Sequence, residues 1–198
     1  MTKRKDREHN LMLVIEWPRF LEKGLPQESE KLFSLTIGVF DGVHRGHKAL
    51  IERVVSHNNY VPVVVTFQQN HKTGESADDI QTFQEKLAVM EKLGIQITLA
   101  IDFTESFRRM RGIEFLELLS GRGEIGFLAV GSNFRCGYGL DTDATAIKKF
   151  FASRNVPIEI VPEVLEDGLP ISSSRIRSAI ASGDFSLAEK MLGRPLKR

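Results

Sequence analysis

Five apolar runs rich in β-branched residues, separated by stretches with helical spacing, are the feature that most limits how this chain can fold. The runs lie at Phe33–Val39, Val61–Phe67, Ile95–Ile101, Phe127–Val130 and Val156–Val161. Runs that are apolar throughout and alternate with helices predict parallel strands that are buried on both faces of a sheet. Their number falls short of the eight strands of a TIM barrel, so the pattern predicts an open, doubly wound α/β fold.

The stretches between the runs repeat apolar residues at helical spacing. In Phe83–Leu93, for example, Phe83, Leu87 and Met90 recur at intervals of four and three residues, which is one face of a helix. The other predicted helices are His47–Val55, Ile113–Leu119, Thr145–Phe151, Ser174–Ala181 and, as a short helical C-terminal end, Phe185–Leu192. The pattern predicts one domain over residues 1–198, in which residues 1–32 show little periodicity.

The composition excludes several classes of protein. The chain has 27 Lys and Arg residues against 26 Asp and Glu residues, and this balance predicts no nucleic-acid partner. Its one cysteine, Cys136, excludes an internal disulfide framework and a cysteine-rich zinc site. No apolar stretch approaches the length that spans a bilayer, and the N-terminal apolar run is too short for a signal peptide. These observations predict a cytoplasmic protein with no membrane partner.

The segment GVFDGVHRGHKAL at residues 38–50 directly follows the first of the apolar runs. Glycine loses more conformational freedom on folding than any other residue, so its glycines indicate a sharp bend or a close approach to the backbone. In a doubly wound fold this position is the carboxyl end of a strand, where ligands bind, and the following helix N-terminus favours phosphate. The P-loop and dinucleotide-binding glycine patterns are both absent from the sequence, so neither explains the segment.

His44 and His47 flank Gly46 at the start of the helix. A zinc site would need further ligands that no nearby cysteine or carboxylate cluster supplies, so no metal-ligating residue is predicted. Surface histidines on a turn are the simpler interpretation. The preceding strand, the glycines and Asp41 nevertheless favour a phosphate site, in which the imidazoles donate hydrogen bonds and Gly46 lets the phosphate approach. Asp41 is interpreted as a base, as a partner that orients a histidine, or as a residue that caps the helix.

Four segments together resemble a known family. GVFDGVHRGH at 38–47 is similar to the G-x-F-D-G-x-H-x-G-H signature of bacterial-type FAD synthetases, the adenylyltransferase module of bifunctional riboflavin kinase/FMN adenylyltransferases. PISSSRIR at 170–177, VGSNFRCG at 130–137 and MLGRP at 191–195 resemble further motifs of that family, in the same order. The resemblance implies a Rossmann-like fold of the HxGH nucleotidyltransferase superfamily.

The resemblance implies transfer of the adenylyl group of ATP to FMN, which yields FAD and pyrophosphate. It implies that ATP and FMN are the small-molecule substrates and that Mg²⁺ accompanies ATP. Such a reaction requires the protein mainly to position the substrates and to stabilise charge on phosphate oxygens. The residues implied as catalytic are His44, His47 and Arg177, and those implied as ATP-binding are Gly38, Phe40, Asp41, Gly46, Ser173 and Ser174.

The stretch from Ser172 to Arg177 offers serines and arginines to a polyphosphate. Helix capping alone explains one of the serines. Arg177 lies three residues beyond Ser174 and four beyond Ser173, on the same predicted helix face, whereas Arg175 points elsewhere and is interpreted as a solvated charge. The resemblance independently implies that Arg177 is the phosphate-binding arginine.

The flavin half of the implied site departs from the family pattern. The family has T-F-E-P-H-P after its second strand, whereas this chain has TFQQNH at 66–71, with Asn70 where the family has its histidine. Cys136 replaces an aromatic residue and offers less stacking area than a ring. The residues implied on the flavin side are Asn70, Asn133, Phe134 and Cys136.

The altered flavin half leaves two alternatives to an FMN adenylyltransferase. One is an HxGH nucleotidyltransferase that acts on another phosphorylated acceptor, and the other is a non-catalytic flavin- or nucleotide-binding relative. No riboflavin kinase domain follows MLGRP in this sequence. If the chain is complete, the resemblance therefore implies a separate riboflavin kinase that supplies FMN.

Overall fold

A parallel sheet is the centre of the structure, a computed structural model that describes residues 11–26, 31–68 and 79–196. The strands are β1 (Leu13–Glu16), β2 (Phe33–Ile37), β3 (Val61–Phe67), β4 (Ile97–Ile101), β5 (Ile125–Gly131), β6 (Arg135–Cys136), β7 (Thr142–Asp143), β8 (Ile158–Val161), β9 (Leu165–Glu166) and β10 (Leu169–Pro170). Six of them form the parallel sheet, in the order β1-β4-β3-β2-β5-β8. The short pairs β6–β7 and β9–β10 are antiparallel.

Helices connect the strands and cover both faces of the sheet. They are α1 (Trp17–Lys23), α2 (Arg45–Val55), α3 (Phe83–Lys92), α4 (Glu105–Arg108), α5 (Gly112–Ser120), α6 (Ala144–Ala152), α7 (Ser173–Ala181) and α8 (Phe185–Leu192). Helices α1, α5 and α6 contribute to one apolar layer, and α2 and α3 to the other. In the described part of the chain, no helix has both the length and the apolar character needed to cross a bilayer.

The central strands alternate their side chains between the two layers. Phe33, Leu35 and Ile37 of β2 belong to the first layer. Ser34, between them, is fully buried and donates a hydrogen bond from Oγ to the carbonyl oxygen of Val54 on α2, at 2.9 Å. Burial on both faces explains why the strand is apolar along most of its length.

The five predicted strands are all present in this sheet, which confirms the open, doubly wound parallel fold. The sixth strand, β1, lies within residues 1–32, where the sequence shows little periodicity. It is an edge strand that pairs only with β4, and Ile15 is its one buried residue. A strand with so little buried surface carries a weak apolar pattern, which is why the sequence did not predict it.

Strand β2 is the point at which the strand order reverses, because β3 pairs with one side of it and β5 with the other. Ligand clefts in open α/β sheets form outside the carboxyl ends of the strands at such a point. The chain leaves β2 at Ile37 and β5 at Gly131, so the segments that follow these two strands meet at the same edge.

Candidate active site

The glycine-rich segment after β2 forms a tight turn. The strand ends at Ile37 rather than at the predicted Val39, and Phe40 takes a φ of 55°, a left-handed conformation that bulky residues rarely adopt. Gly42 has a φ of +78°, and a Cβ atom at that position would lie 3.0 Å from Cδ1 of Ile80. The sharp bend predicted from the glycines is therefore present, and Gly42 is the residue that makes it.

His44 is the N-cap residue of α2. Its Nδ1 accepts a hydrogen bond from the backbone N–H of His47 at 3.3 Å, so the neutral ring carries its hydrogen on Nε2. The two imidazole rings are stacked, with centroids 3.6 Å apart and an interplanar angle of 16°. A Cβ on Gly46 would lie 3.2 Å from the His44 ring, so the glycine makes room for this close approach.

Both histidines are held neutral. Burial, assisted by the positive charge of Arg194, lowers the pKa of His44 from 6.5 to about 4. Burial also lowers the pKa of His47 well below its ordinary value, with His44 and Lys86 adding to the effect. Among the described residues, the buried Nδ1 of His47 has no hydrogen-bond partner. The pair therefore offers neutral donor and acceptor groups at the N-terminus of an eleven-residue helix.

Asp41 and Arg177 join this turn to α7. Oδ2 of Asp41 accepts a hydrogen bond from Nη1 of Arg177 at 2.5 Å, and Oδ1 accepts from the backbone N–H of Ile80 at 3.0 Å. Burial raises the pKa of Asp41 above its ordinary value, although Arg177 and the Ile80 N–H oppose the shift. The suggestion that Asp41 caps α2 is wrong, because His44 caps that helix.

The serines at the start of α7 have separate partners. Ser172 is the N-cap residue, and its side chain accepts from the backbone N–H of Arg175 at 3.2 Å. Ser173 donates from Oγ to the backbone carbonyl of Asp41 at 2.9 Å, which is a second link between α7 and the turn. Oγ of Ser174 accepts from Nη2 of Arg177 at 3.3 Å. The predicted pairing of Arg177 with Ser174 on one helix face is confirmed.

Arg175 corrects one sequence-based expectation. It was interpreted as a solvated charge, but its guanidinium is half-buried and donates to the carbonyl oxygens of Glu166 and Leu169, each at 2.9 Å. These carbonyls belong to the β9–β10 hairpin. The sequence correctly predicted that Arg175 and Arg177 point in different directions from α7. Helical spacing, however, gives no information about a contact with a hairpin that lies earlier in the chain.

A cleft of about 350 Å³ lies outside the carboxyl ends of β2 and β5. Every residue implied as catalytic or ATP-binding lines it: Gly38, Phe40, Asp41, His44, Gly46, His47, Ser173, Ser174 and Arg177. Asn133 and Phe134 from the flavin-side set also line it, and Asn133 Nδ2 donates to Oε1 of Glu163 at 2.9 Å. The structure therefore brings the predicted residues together, while their individual roles stay predictions.

Cys136 of the flavin-side set lies apart from the other members that the structure describes. Cys136 is not among the residues that line the cleft; it packs against the main apolar layer and pairs with Thr142 across β6–β7. Burial, with a contribution from Asp141, raises the pKa of its thiol to about 12, so the group is not a nucleophile at neutral pH. Asn70 lies outside the described residues.

Sequence reasoning missed Lys86 and Arg194, which support the turn from behind. Arg194 donates to Oε1 of Gln81 at 2.6 Å and to the carbonyl oxygen of Val43 at 3.5 Å. Lys86 lies three residues after Phe83 and four before Met90, so it sits on the face that those residues mark as apolar. A lysine on an otherwise apolar helix face was the sequence feature from which a buried Lys86 could have been predicted.

Within residues 11–26, 31–68 and 79–196, no three His, Cys, Asp or Glu side chains group closely enough to hold a metal ion.

A more open cleft of about 880 Å³ lies at the opposite edge of the sheet. Gly24, Arg122 and Arg154 line it, from segments that precede β2, β5 and β8. It is therefore formed at the amino ends of the strands, away from the histidines and from α7.

The comparison with known proteins agrees with this geometry. A sequence model of the family described as FAD synthetase matches residues 26–175. The bifunctional riboflavin kinase/FMN adenylyltransferase of Escherichia coli (strain K12) is 31% identical over 179 residues, which cover 86% of this chain and 57% of that protein. The FAD synthetase of Listeria monocytogenes is 27% identical over 177 residues, which cover 86% of this chain and 72% of that protein. The chain thus spans little more than half the length of its bifunctional relatives.

A solved structure supports the fold. The crystal structure of a macrolide-efflux protein from Streptococcus pneumoniae matches with a TM-score of 0.78 and 25% sequence identity, over 93% of this chain and 61% of that chain. The family match, for its part, includes the whole glycine-rich turn and the serines that begin α7. It confirms the resemblance inferred from the four sequence motifs. The chain belongs to the FAD synthetase family.

Proposed function

We propose that this chain is an ATP-dependent FMN adenylyltransferase, which makes FAD and pyrophosphate from FMN and ATP. The observation that carries the proposal is a contact between residues 136 positions apart in the sequence, which joins the two motifs that are implied to bind phosphate. Arg177 of the second motif pairs with Asp41 of the first, beside two neutral histidines at a helix N-terminus. Family membership supports the same reaction.

In the proposed reaction, an oxygen of the FMN phosphate attacks the α-phosphorus of ATP. A new P–O bond forms while the bond to the oxygen that bridges to the β-phosphorus breaks, and pyrophosphate leaves with that electron pair. The protein has no covalent step to perform. Its task is to align the two phosphates and to stabilise the charge that builds up on their oxygens.

The residues that line the cleft suit this task. The tautomer of His44 offers Nε2–H as a donor to a phosphate oxygen, and the first N–H groups of α2 add the partial positive charge of a helix N-terminus. Arg177 donates from Nη1 to Asp41 and from Nη2 to Ser174, and its guanidinium has further N–H bonds for a phosphate. Asp41 thereby orients the guanidinium, and the hydrogen bond from Ser173 ties the start of α7 to the turn.

Mg²⁺ belongs to the proposal as a partner of ATP. In nucleotide sites it keeps several waters and binds largely through substrate phosphates, where it neutralises their charge. Mg²⁺ would therefore enter the site as part of the ATP substrate. We also propose a cytoplasmic location.

The test is incubation of the purified chain with ATP, Mg²⁺ and FMN, followed by chromatography for FAD and an assay for pyrophosphate. We expect both products in equal amounts. His47→Ala removes a polar group that faces the cleft and should lower turnover at least tenfold, about 1.4 kcal/mol or more in transition-state stabilisation. ATP binding without FAD formation in the wild-type chain would contradict the assigned acceptor.

A second candidate is adenylyl transfer to a different phosphorylated acceptor. The observation that favours it is Cys136, which stands where the family has an aromatic residue and lies outside the cleft lining. Release of pyrophosphate from ATP with another phosphorylated compound, but not with FMN, would establish this alternative. Binding of nucleotide or flavin without pyrophosphate release from any acceptor would instead indicate a non-catalytic relative.

A further inference from the structure

Lys86 on α3 is a buried cation directly behind the active-site turn. Its side chain is almost completely inaccessible, with a relative exposure of 6% for the residue. Its Nζ donates to the carbonyl oxygen of Phe67 at 2.7 Å, to the carbonyl oxygen of Val39 at 3.1 Å and to Oγ1 of Thr66 at 3.3 Å. Phe67 ends β3, and Val39 follows β2 in the glycine-rich turn.

The three contacts use every donor that a lysine has. An ammonium group carries three N–H bonds and no acceptor, so Lys86 has none left for a substrate in this arrangement. Thr66 also donates from Oγ1 to the carbonyl oxygen of Val39, at 2.9 Å. The Val39 carbonyl is therefore held by two donors, one from β3 and one from α3.

The Val39 carbonyl group immediately precedes Phe40, the residue of the turn whose backbone is strained. Phe40 has a φ of 55°, and its ring lies 5.0 Å from the ring of His47, centroid to centroid. A residue in such a conformation persists only where its surroundings restrain it. We propose that Lys86 is a positioning residue for the adenylyl transfer proposed above: it fixes the Val39 carbonyl and thereby holds Phe40, Asp41 and His47 in place at the cleft.

The charges around Lys86 are consistent with this role. Asp41 in the turn and Asp79 before α3 stabilise the ammonium form, His47 on α2 faces it as a neutral ring, and β3 contributes only Thr66 and a carbonyl group. Burial outweighs the two carboxylates and lowers the pKa of Lys86 to about 8. Above that pH the amine has two N–H bonds for three acceptors, so one contact is lost.

The first test compares Lys86→Met with Lys92→Met. Lys92 is an exposed lysine on the same helix and serves as the matched control. We expect Lys86→Met to lower kcat for FAD formation about 10²-fold, because small displacements of positioned groups have effects of that size. The KM for ATP should change much less, since the three N–H bonds of Lys86 are already donated to Val39, Thr66 and Phe67. A Lys86→Met enzyme with the kcat of Lys92→Met would overturn the proposal.

The pH profile separates positioning from general destabilisation. In the wild type, kcat should fall above pH 8 as Lys86 loses its proton. Lys86→Arg keeps a permanent charge and several donors, so it should retain activity at pH 7 and lose this decline. A decline that persists unchanged in Lys86→Arg would contradict the assignment, and this variant also covers the case in which Lys86→Met does not fold.

A third measurement does not depend on turnover. The amide of Gly38 donates to the carbonyl oxygen of Val65 at 3.1 Å, and the amide of Val43 donates to the carbonyl oxygen of Phe40 at 3.2 Å. Both amides should exchange with deuterium faster in Lys86→Met than in Lys92→Met. Unchanged exchange would overturn the positioning role even if the wild type makes no FAD, whereas absence of FAD alone would overturn only the proposed function.

Discussion

At the scale of single residues, the histidine pair is adapted to remain neutral. His44 is 5% exposed, and its Nδ1 is occupied by the His47 N–H. A protonated His44 would lose this acceptor and would place a charge close to Arg194. The site thus offers hydrogen-bond donors of fixed direction, and in the proposed reaction Arg177 and the helix N-terminus would supply the positive charge that faces the phosphates.

This arrangement predicts a specific dependence of stability on pH. The pKa of His44 is about 4 in the folded chain against 6.5 ordinarily, so between these values the unfolded state binds more protons. The free energy of unfolding should therefore fall as the pH drops through this window, by on the order of 3 kcal/mol over its full width. His44→Asn keeps an N-cap acceptor but does not titrate, so urea unfolding at pH 7 and pH 5 should show a smaller loss than in the wild type. An equal loss would contradict the assignment to His44.

Arg175 and Arg177 form a natural pair of test positions, because they lie on one helix and have different partners. Arg177→Ala removes the partner of Asp41 and the proposed phosphate donor, and turnover should fall at least tenfold. Arg175→Ala removes contacts with the β9–β10 hairpin, so it should lower the free energy of unfolding by about 1 kcal/mol and leave turnover nearly unchanged. Steady-state kinetics and urea unfolding of both variants provide the check. A larger loss of turnover in Arg175→Ala than in Arg177→Ala would reverse the assignment.

At the scale of elements, the turn between β2 and α2 and the start of α7 form one unit. The carboxylate of Asp41 contacts Arg177, and its carbonyl accepts from Ser173. The C-terminal end of α8 is tied to α2 through Lys48, which donates to the carbonyl oxygen of Leu192 at 3.0 Å. Arg45 pairs with Glu166 of the β9–β10 hairpin in the same region. The geometry of the cleft therefore depends on how the turn is bent.

Gly42 allows this dependence to be tested with an internal control. Gly42 and Gly183 have nearly the same φ, +78° and +79°, but a Cβ would meet Ile80 at position 42 and nothing within 4 Å at position 183. Both alanine variants should lose about 1 kcal/mol of stability or more from backbone strain. Only Gly42→Ala should also lower FAD formation, since only that turn carries the histidines. Equal activity of the two variants would show that the bend at Gly42 does not position the site.

At the scale of the whole molecule, the cleft forms where two separately packed parts meet. The sheet and its two apolar layers provide the turn after β2. A smaller apolar cluster of α7 and α8, which includes Ile176 and Met191, provides Arg177. Loss of packing in the sheet layers or in the α7–α8 cluster should reduce the stability of the chain. Arg177 lies on α7, so it is the α7–α8 cluster that directly supports its position.

A comparison of two core variants tests this division. Leu116 in the main layer and Ile176 in the small cluster are both fully buried, and truncation to alanine of either should cost about 2–5 kcal/mol. At a temperature where both variants are folded, Ile176→Ala should weaken ATP binding, whereas Leu116→Ala should not. Isothermal titration calorimetry with ATP measures the difference. Equal weakening of ATP binding in both variants would argue against a separate supporting role for the small cluster.

The sequence by itself determined five of the six strands of the parallel sheet, six of the eight α-helices that the described residues form, and the position of the cleft. The main signal was local, because burial on both faces of a sheet makes whole strands apolar, and helix faces repeat at intervals of three and four residues. It failed for β1, an edge strand with one buried residue. The residues predicted for the ATP side all line one cleft because the glycine-rich turn and the start of α7 both lie at the carboxyl edge of the sheet.

Only the tertiary structure decided which partner each polar side chain takes. Asp41 pairs with an arginine 136 residues away, Lys86 holds the carbonyl of Val39 from a distant helix, and Arg175 binds a hairpin rather than water. Cys136 packs away from the cleft although its motif lies beside it. These outcomes follow from which elements the folded sheet brings together, and hydrogen bonds between residues far apart in the chain leave no periodic pattern in the sequence.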